Sequence, residues 1–285
     1  MKITTLLGLL LGFASLSNAQ TATGLPASSP GDRLNQQILQ QRQESKKSEA
    51  KLVAVYPGDR VIAQFVDGGS WKTSMYFVNL ENHSVSFQVL FFTDDGNDLT
   101  VPVLGQGFVR GLNISLDTAG SIQFETAGTD FSLAQGWALL SQSTNDSVGG
   151  MAVFRHSFPG IADQEAVVPI VNQYENHFVL LFDNTSTFST AIALANPTTN
   201  SVAIPVNIRN QTGQIIDQRI VNLGAYSHTA FSLVDRWGST AGRRGAIEFL
   251  TSGFGVGALG LRFNGSAFTS FHVLENLRWV ADPSR

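Results

Sequence analysis

Trp71-Lys72-Thr73-Ser74-Met75-Tyr76-Phe77-Val78-Asn79 and, 117 positions later, Phe188-Ser189-Thr190-Ala191-Ile192-Ala193-Leu194-Ala195-Asn196 are two versions of one segment. Trp71, Thr73, Met75 and Phe77 alternate with Lys72, Ser74, Tyr76 and Val78. Phe188, Thr190, Ile192 and Leu194 alternate in the same way with Ser189, Ala191, Ala193 and Ala195. A period of two puts every second side chain on one face of a strand. The next stretch repeats the pattern, with Val85, Phe87, Val89 and Phe91 answering Val202, Ile204, Val206 and Ile208. The large apolar residues share one register in both copies, so that face is the core.

The repeat extends outward from these strands. Residues 65–96 map onto 182–213 without a gap. Phe65, Thr73, Asn79, Ser84, Val85, Val89 and Gly96 meet identical residues at Phe182, Thr190, Asn196, Ser201, Val202, Val206 and Gly213. Seven identities in 32 positions stand against about two by chance and mark an internal repeat. Thr93-Asp94-Asp95-Gly96-Asn97-Asp98 and Asn210-Gln211-Thr212-Gly213-Gln214 carry the Asp/Asn and glycine chemistry of hairpins. Strands are expected after them at Leu99–Leu104 and Ile215–Leu223. Gly120–Thr126 resembles Gly245–Thr251 at an offset of 125, which suggests an insertion in the second copy. That insertion holds Phe231–Trp237, read as a short helical turn stopped by Gly238. Further strands are expected at Gly136–Gln142, Gly149–His156, Ala166–Ile170, Gly257–Phe263 and Ser266–Val273. Pro205 on the outward register predicts an edge strand or bulge.

Short strands separated by Gly, Asn, Asp and Ser predict an all-β fold of two tandem antiparallel β-sandwiches. They occupy residues 52–170 and 171–278, with a C-terminal tail at 279–285. The joint at Val171–His177 is too short for free movement, so the two sandwiches are expected to contact each other. Residues 1–19 read as a secretory signal peptide, with an apolar run over Leu6–Leu16 and Ser17-Asn18-Ala19 before the expected cleavage. Residues 20–51, polar and rich in Gln and Ser, read as a flexible leader or stalk. Later in the chain, no apolar run is long enough for a transmembrane helix.

Composition narrows the function classes. The chain has no cysteine, so neither disulfides nor a lipidated cysteine can occur. Only 14% of residues are charged. Loss of Lys2 with the signal leaves 17 basic against 22 acidic side chains, which argues against nucleic acid and anionic membrane as partners. A cysteine-free exported chain fits a bacterial source. There the sequons at Asn82, Asn113, Asn145, Asn184, Asn210 and Asn264 are incidental; in a eukaryotic pathway they would be glycan acceptors.

Gln64-Phe65-Val66-Asp67-Gly68-Gly69-Ser70-Trp71-Lys72-Thr73, with Phe77-Val78-Asn79 after it, resembles the F-A-D-G-G-G-W-x-T … L-x-N opening of a tandem repeat of secreted proteins from soil bacteria such as Acidobacteria. The looser second opening of that repeat, x-T-G-I-A-L-A-N-P, is similar to Ser189–Pro197, with Ala191 in place of glycine. The resemblance covers about Val61–Leu274. It implies an immunoglobulin-like exported module and brings no assigned activity.

Residues with catalytic or metal chemistry are sparse. His83, His156, His177, His228 and His272 form no H-E-x-x-H or H-x-H spacing, and His83 and His228, in expected turns, read as solvated. Asp94, Asp95, Asn97 and Asp98 offer hard oxygen ligands to calcium, but without the spacing of an EF-hand. Asp117-Thr118-Ala119-Gly120 lacks the Asp-Thr-Gly turn of an aspartic protease. No G-x-S-x-G elbow occurs. The glycines of Gly253–Gly260 read as strand glycines that permit close backbone approach.

Aromatics are the remaining candidates. Tyr76, Leu90 and Phe92 fall on the register opposite the core, where the second copy has Ala193, Asn207 and Arg209. Such a strip either meets the other sandwich or stacks on a ligand. The expectation is a non-catalytic structural or adhesive module of the cell envelope or extracellular space, without cofactor or metal, whose partner is a polysaccharide or another envelope protein. A carbohydrate-binding module using Tyr76, Leu90 and Phe92 is the first alternative. A hydrolase with an unrecognised site is the second.

Overall fold

The computed structural model describes residues 59–130, 132–142, 146–171, 177–251 and 255–276. The signal peptide, the leader, the tail and the sequon at Asn145 lie outside them, as does most of the 171–177 joint. The regular structure of the described residues is almost entirely antiparallel strand, an all-β fold of packed sheets.

The first unit contains β1 (Arg60–Asp67), β2 (Trp71–Asn79), β3 (Val85–Thr93), β4 (Val101–Val103), β5 (Gly107–Val109), β6 (Gly111–Leu116), β7 (Ser121–Glu125), β8 (Ala134–Ser141), β9 (Val148–Phe158) and β10 (Ile161–Pro169). The second contains β11 (His177–Asp183), β12 (Phe188–Ala195), β13 (Val202–Asn210), β14 (Ile215–Leu223), β15 (His228–Ser232), α1 (Leu233–Arg236), β16 (Arg244–Leu250), β17 (Gly257–Asn264), β18 (Ala267–Phe271) and β19 (Leu274–Asn276). One sheet of the first unit runs β1-β8-β3-β6 and the other β10-β9-β2-β7. The sheets of the second unit run β11-β16-β13-β14, with β19 added beside β11, and β18-β17-β12-β15. The strand order of eight strands is therefore repeated. The β4–β5 hairpin belongs to the first unit alone, and α1 and β19 to the second.

Alternation explains the layers. Trp71, Thr73, Met75 and Phe77 are buried on β2, as are Val85, Phe87, Val89 and Phe91 on β3. Phe77 of one sheet meets Phe87 of the other with centroids 5.4 Å apart, in the edge-to-face geometry aromatic rings favour. The second core gathers Phe178, Leu180, Ile192, Leu194, Val206 and Trp237.

Three expectations fail on topology. β7 pairs with β2, whereas β16 pairs with β11 and β13. Gly120–Thr126 and Gly245–Thr251 thus occupy different sheets, and their similarity is not equivalence. The counterpart of β7 is β15, and that of β16 is β8. The helical turn is shorter than expected: Phe231 and Ser232 finish β15, and α1 is a single turn closed by Leu233 and Trp237 against the core. Pro205 does not mark an edge strand, because β13 lies between β14 and β16. Its ladder to β16 starts at Val206, so the proline stands just beyond the end of that pairing, while toward β14 it sits opposite Ile220.

The two units share an apolar core. Ala191, Ala193 and Ala195 of β12, Leu259, Leu261 and Phe263 of β17, Phe268 and Tyr226 are all part of the buried cluster built mainly from the first unit. The outward alanine face of β12 is thus covered by the neighbouring unit. Gly257 lies so close to Val61 that a Cβ there would stand 2.3 Å from a Val61 methyl.

Candidate functional site

Phe92, Leu90 and Tyr76 do not form one strip. Phe92 lies on β3, where strand alternation points it away from its own core and into the second unit. It is 2% exposed, stacked on Trp137 at 4.7 Å and on Tyr226 of the second unit at 5.5 Å with ring planes 7° apart. Trp137 Nε1 donates to the Tyr226 carbonyl at 2.8 Å. Leu90 is half-buried beside the same cluster. Tyr76 belongs to β2, in the other sheet of the unit. It stands opposite Met151 and Gln123, and Gln123 Nε2 donates to its hydroxyl at 3.3 Å. Of the three, only Tyr76 keeps an aromatic face near solvent, so no stacking platform is formed by the set.

The acidic turn is also an inter-unit contact. Asp94 Oδ1 lies 2.8 Å from His228 Nδ1, its Oδ2 accepts from Gln135 Nε2 at 3.0 Å, and its carbonyl accepts from the His228 N–H at 2.9 Å. Both carboxylate oxygens are thus engaged by protein donors. Gly96, at φ +81°, brings the turn against the second unit, where a Cβ would fall 2.5 Å from the Ala225 carbonyl. Its counterpart Gly213 has the same φ, +83°, with nothing nearby. His228 is not solvated: its side chain is fully buried at the start of β15. His83 is exposed and lies 3.2 Å from Asp146. Among the described residues, no three His, Asp or Glu side chains converge as a metal site would require.

A second interface cluster surrounds His156. This residue sits on β9 opposite Trp71 and Gln164, stacks on Trp71 at 4.2 Å and lies 5.9 Å from Phe158. Trp71 in turn meets Phe268 of the second unit at 5.3 Å. Burial holds the imidazole below its ordinary pKa, because charging a ring among aromatics forfeits its hydration.

Away from the interface, three loops of the second unit enclose a depression of about 410 Å³. The β11–β12 loop supplies Thr185, the β13–β14 turn Asn210, Gln211 and Thr212, and the segment entering β16 Gly242, Arg243 and Arg244. Asn210 builds its own turn: its Oδ1 accepts from the Thr212 N–H, the Thr212 hydroxyl and the Gln214 N–H. Arg244 Nε is 3.1 Å from Asp183 Oδ2. Burial pushes the Asp183 carboxyl up, but the Thr185 hydroxyl and N–H and the Arg244 guanidinium outweigh it and hold the group below its usual value. The sequence reading did not find this groove. Its residues lie in three separate turns, and no local spacing joins them.

Compared with models of protein families, with curated proteins and with solved structures, the chain matches none of them.

Proposed function

We propose that this protein is an exported, non-catalytic pair of immunoglobulin-like β-sandwiches serving as a structural or adhesive binding module of the cell envelope or extracellular space. The observation that carries this reading is the use made of the conspicuous residues. Phe92, the Asp94 turn, His228 and the alanine face of β12 all serve to lock one unit to the other. Such a joint holds two units at a fixed distance and angle, which suits a spacer or an adhesive module. It leaves these groups unavailable for acid–base or nucleophilic chemistry, which needs reactive atoms facing a substrate. The apolar N-terminal run and its small-residue end support export, and the motif around Phe65–Thr73 supports kinship with the secreted soil-bacterial repeat.

Fractionation of bacterial cells expressing the full chain tests the reading. The expected result is a protein beginning at Gln20 in the envelope or medium. An unprocessed chain retained in the cytoplasm would overturn it.

A further inference from the structure

We propose that the groove between Thr185, Gln211, Thr212, Arg243 and Arg244 binds the carboxylate and hydroxyl groups of an acidic sugar, a uronate unit of a polysaccharide. The assignment deepens the binding-module reading by naming a ligand class, and rests on it only for where such a sugar is met.

Charge selects the anion. Among the described cations, Arg243 is the one whose side chain has no carboxylate, carbonyl, hydroxyl or ring partner. Lys72, Arg110, Arg155, Arg209, Arg219, Arg244 and Arg262 each face a carboxylate. Arg60 donates to a carbonyl, and Arg236 meets Thr229 and the Phe231 ring. Arg243 is exposed and lines the groove, and Arg244 adds its terminal nitrogens, Nε being the atom bound to Asp183. No carboxylate lines the groove. A guanidinium fork matches a carboxylate with two parallel hydrogen bonds.

Hydrogen-bond direction selects the carrier. The Thr185 hydroxyl donates to Asp183 Oδ1 at 2.7 Å, and the Thr212 hydroxyl donates to Asn210 Oδ1 at 2.8 Å. Each proton is spent inward, so each oxygen presents acceptor lone pairs outward. The exposed Gln211 amide, which has no side-chain partner among the described residues, supplies both a donor and an acceptor. A bare inorganic anion would use the arginines and leave these acceptors idle. A sugar acid uses both, since its hydroxyls donate to the threonines while its carboxylate meets Arg243. The groove volume falls in the range of small-ligand sites.

Titration calorimetry of the mature protein with trigalacturonate and with trimannuronate tests the site, with the methyl-esterified trimers and sodium sulfate as comparison arms. Saturable binding of at least one acidic trimer is expected. Binding should fall at least tenfold with Arg243→Gln, with esterification, and with 0.5 M added salt (about the level that screens exposed charges). Gln211→Ala should weaken it several-fold, and the melting temperature of both variants should match wild type, because neither side chain has a partner to lose. Absence of saturable binding by either trimer would overturn the site, as would full binding by Arg243→Gln. Sulfate binding as tightly as the trimers would overturn the sugar assignment and leave a simple anion site. Export plays no part in these measurements, so their failure is separable from failure of the broader function.

Discussion

Asn79 and Asn196 do the same work in the two units. Each is buried at the end of its strand, β2 or β12. Asn79 Nδ2 reaches the carbonyls of His83 and Asp117 at 2.7 and 2.9 Å, and its Oδ1 accepts from the Glu81 N–H. Asn196 Nδ2 reaches the carbonyls of Asn200 and Gly224, and its Oδ1 accepts from the Thr198 N–H. One amide thus gathers loop groups that would otherwise be buried without partners. Thr73 and Thr190 form a second matched pair. The Thr73 hydroxyl donates to the Val66 carbonyl at 2.6 Å and the Thr190 hydroxyl to that of Asp183 at 3.1 Å, in each case tying one sheet of the unit to the other. Replacing Asn79 or Asn196 by Ala is expected to cost about 2 kcal/mol, because several buried backbone groups lose their partner at once. Thr73→Val should cost about 1 kcal/mol, since shape is kept and the hydroxyl loses its bond to the Val66 carbonyl and the longer one from the Val66 N–H. Urea unfolding of the single variants checks both, and an Asn79→Ala loss no larger than that of Thr73→Val would contradict the assigned role.

At the scale of elements, equivalent turns have diverged in use. The Asn210–Gln214 turn closes on itself through Asn210, whereas the Thr93–Asp98 turn reaches across to β15. Asp94→Ala would leave the buried His228 Nδ1 without its acceptor and is expected to destabilise the joined molecule by about 1–3 kcal/mol. Gln211→Ala, in the equivalent turn, should be near neutral. Thermal melting of the two variants distinguishes them. The strands themselves were legible because alternation is local: Trp71–Phe77 and Val85–Phe91 carry their core register in their own composition. Strand pairing was less legible. Gly120–Thr126 and Gly245–Thr251 share residue types, yet hydrogen-bond partners are chosen by the rest of the sheet, so a matching string did not identify a matching strand. The buried outward face of β12 did leave a signal. Ala191, Ala193 and Ala195 place no polar group where a solvated face would carry one, the pattern of a strand covered on both sides.

At the scale of the whole molecule, the joint is the feature to perturb. Gly257→Ala would drive a methyl into Val61. The expected outcome is a loss of about 1–3 kcal/mol from overpacking, with the two units separated in small-angle scattering while strand content by circular dichroism is kept. Unchanged scattering would contradict a close-packed joint. His156 gives the joint a pH dependence. Its folded-state pKa lies below the ordinary 6.5, so the unfolded chain takes up the proton first as pH falls. Stability is therefore full above about pH 6.5 and declines below it until the folded-state pKa is reached. His156→Phe keeps the stack on Trp71 and removes the titration. Melting temperatures measured between about pH 7.5 and 5 should fall less steeply in the variant than in wild type, and identical slopes would assign the pH dependence elsewhere.

The repeated strands at Trp71–Asn79 and Val85–Thr93, their core registers, the hairpin glycines and the duplicated unit were determined by the sequence alone, because each depends on neighbours within a few residues or on a periodic pattern. Which outward side chains meet water was decided only by tertiary structure. Phe92 and His228 are buried by residues of the other unit, and Thr185, Gln211 and Arg243 share a groove because three turns close at one end of the second unit. Docking of sheets and convergence of loops are properties of the whole packed chain, and no local window of residues encodes them.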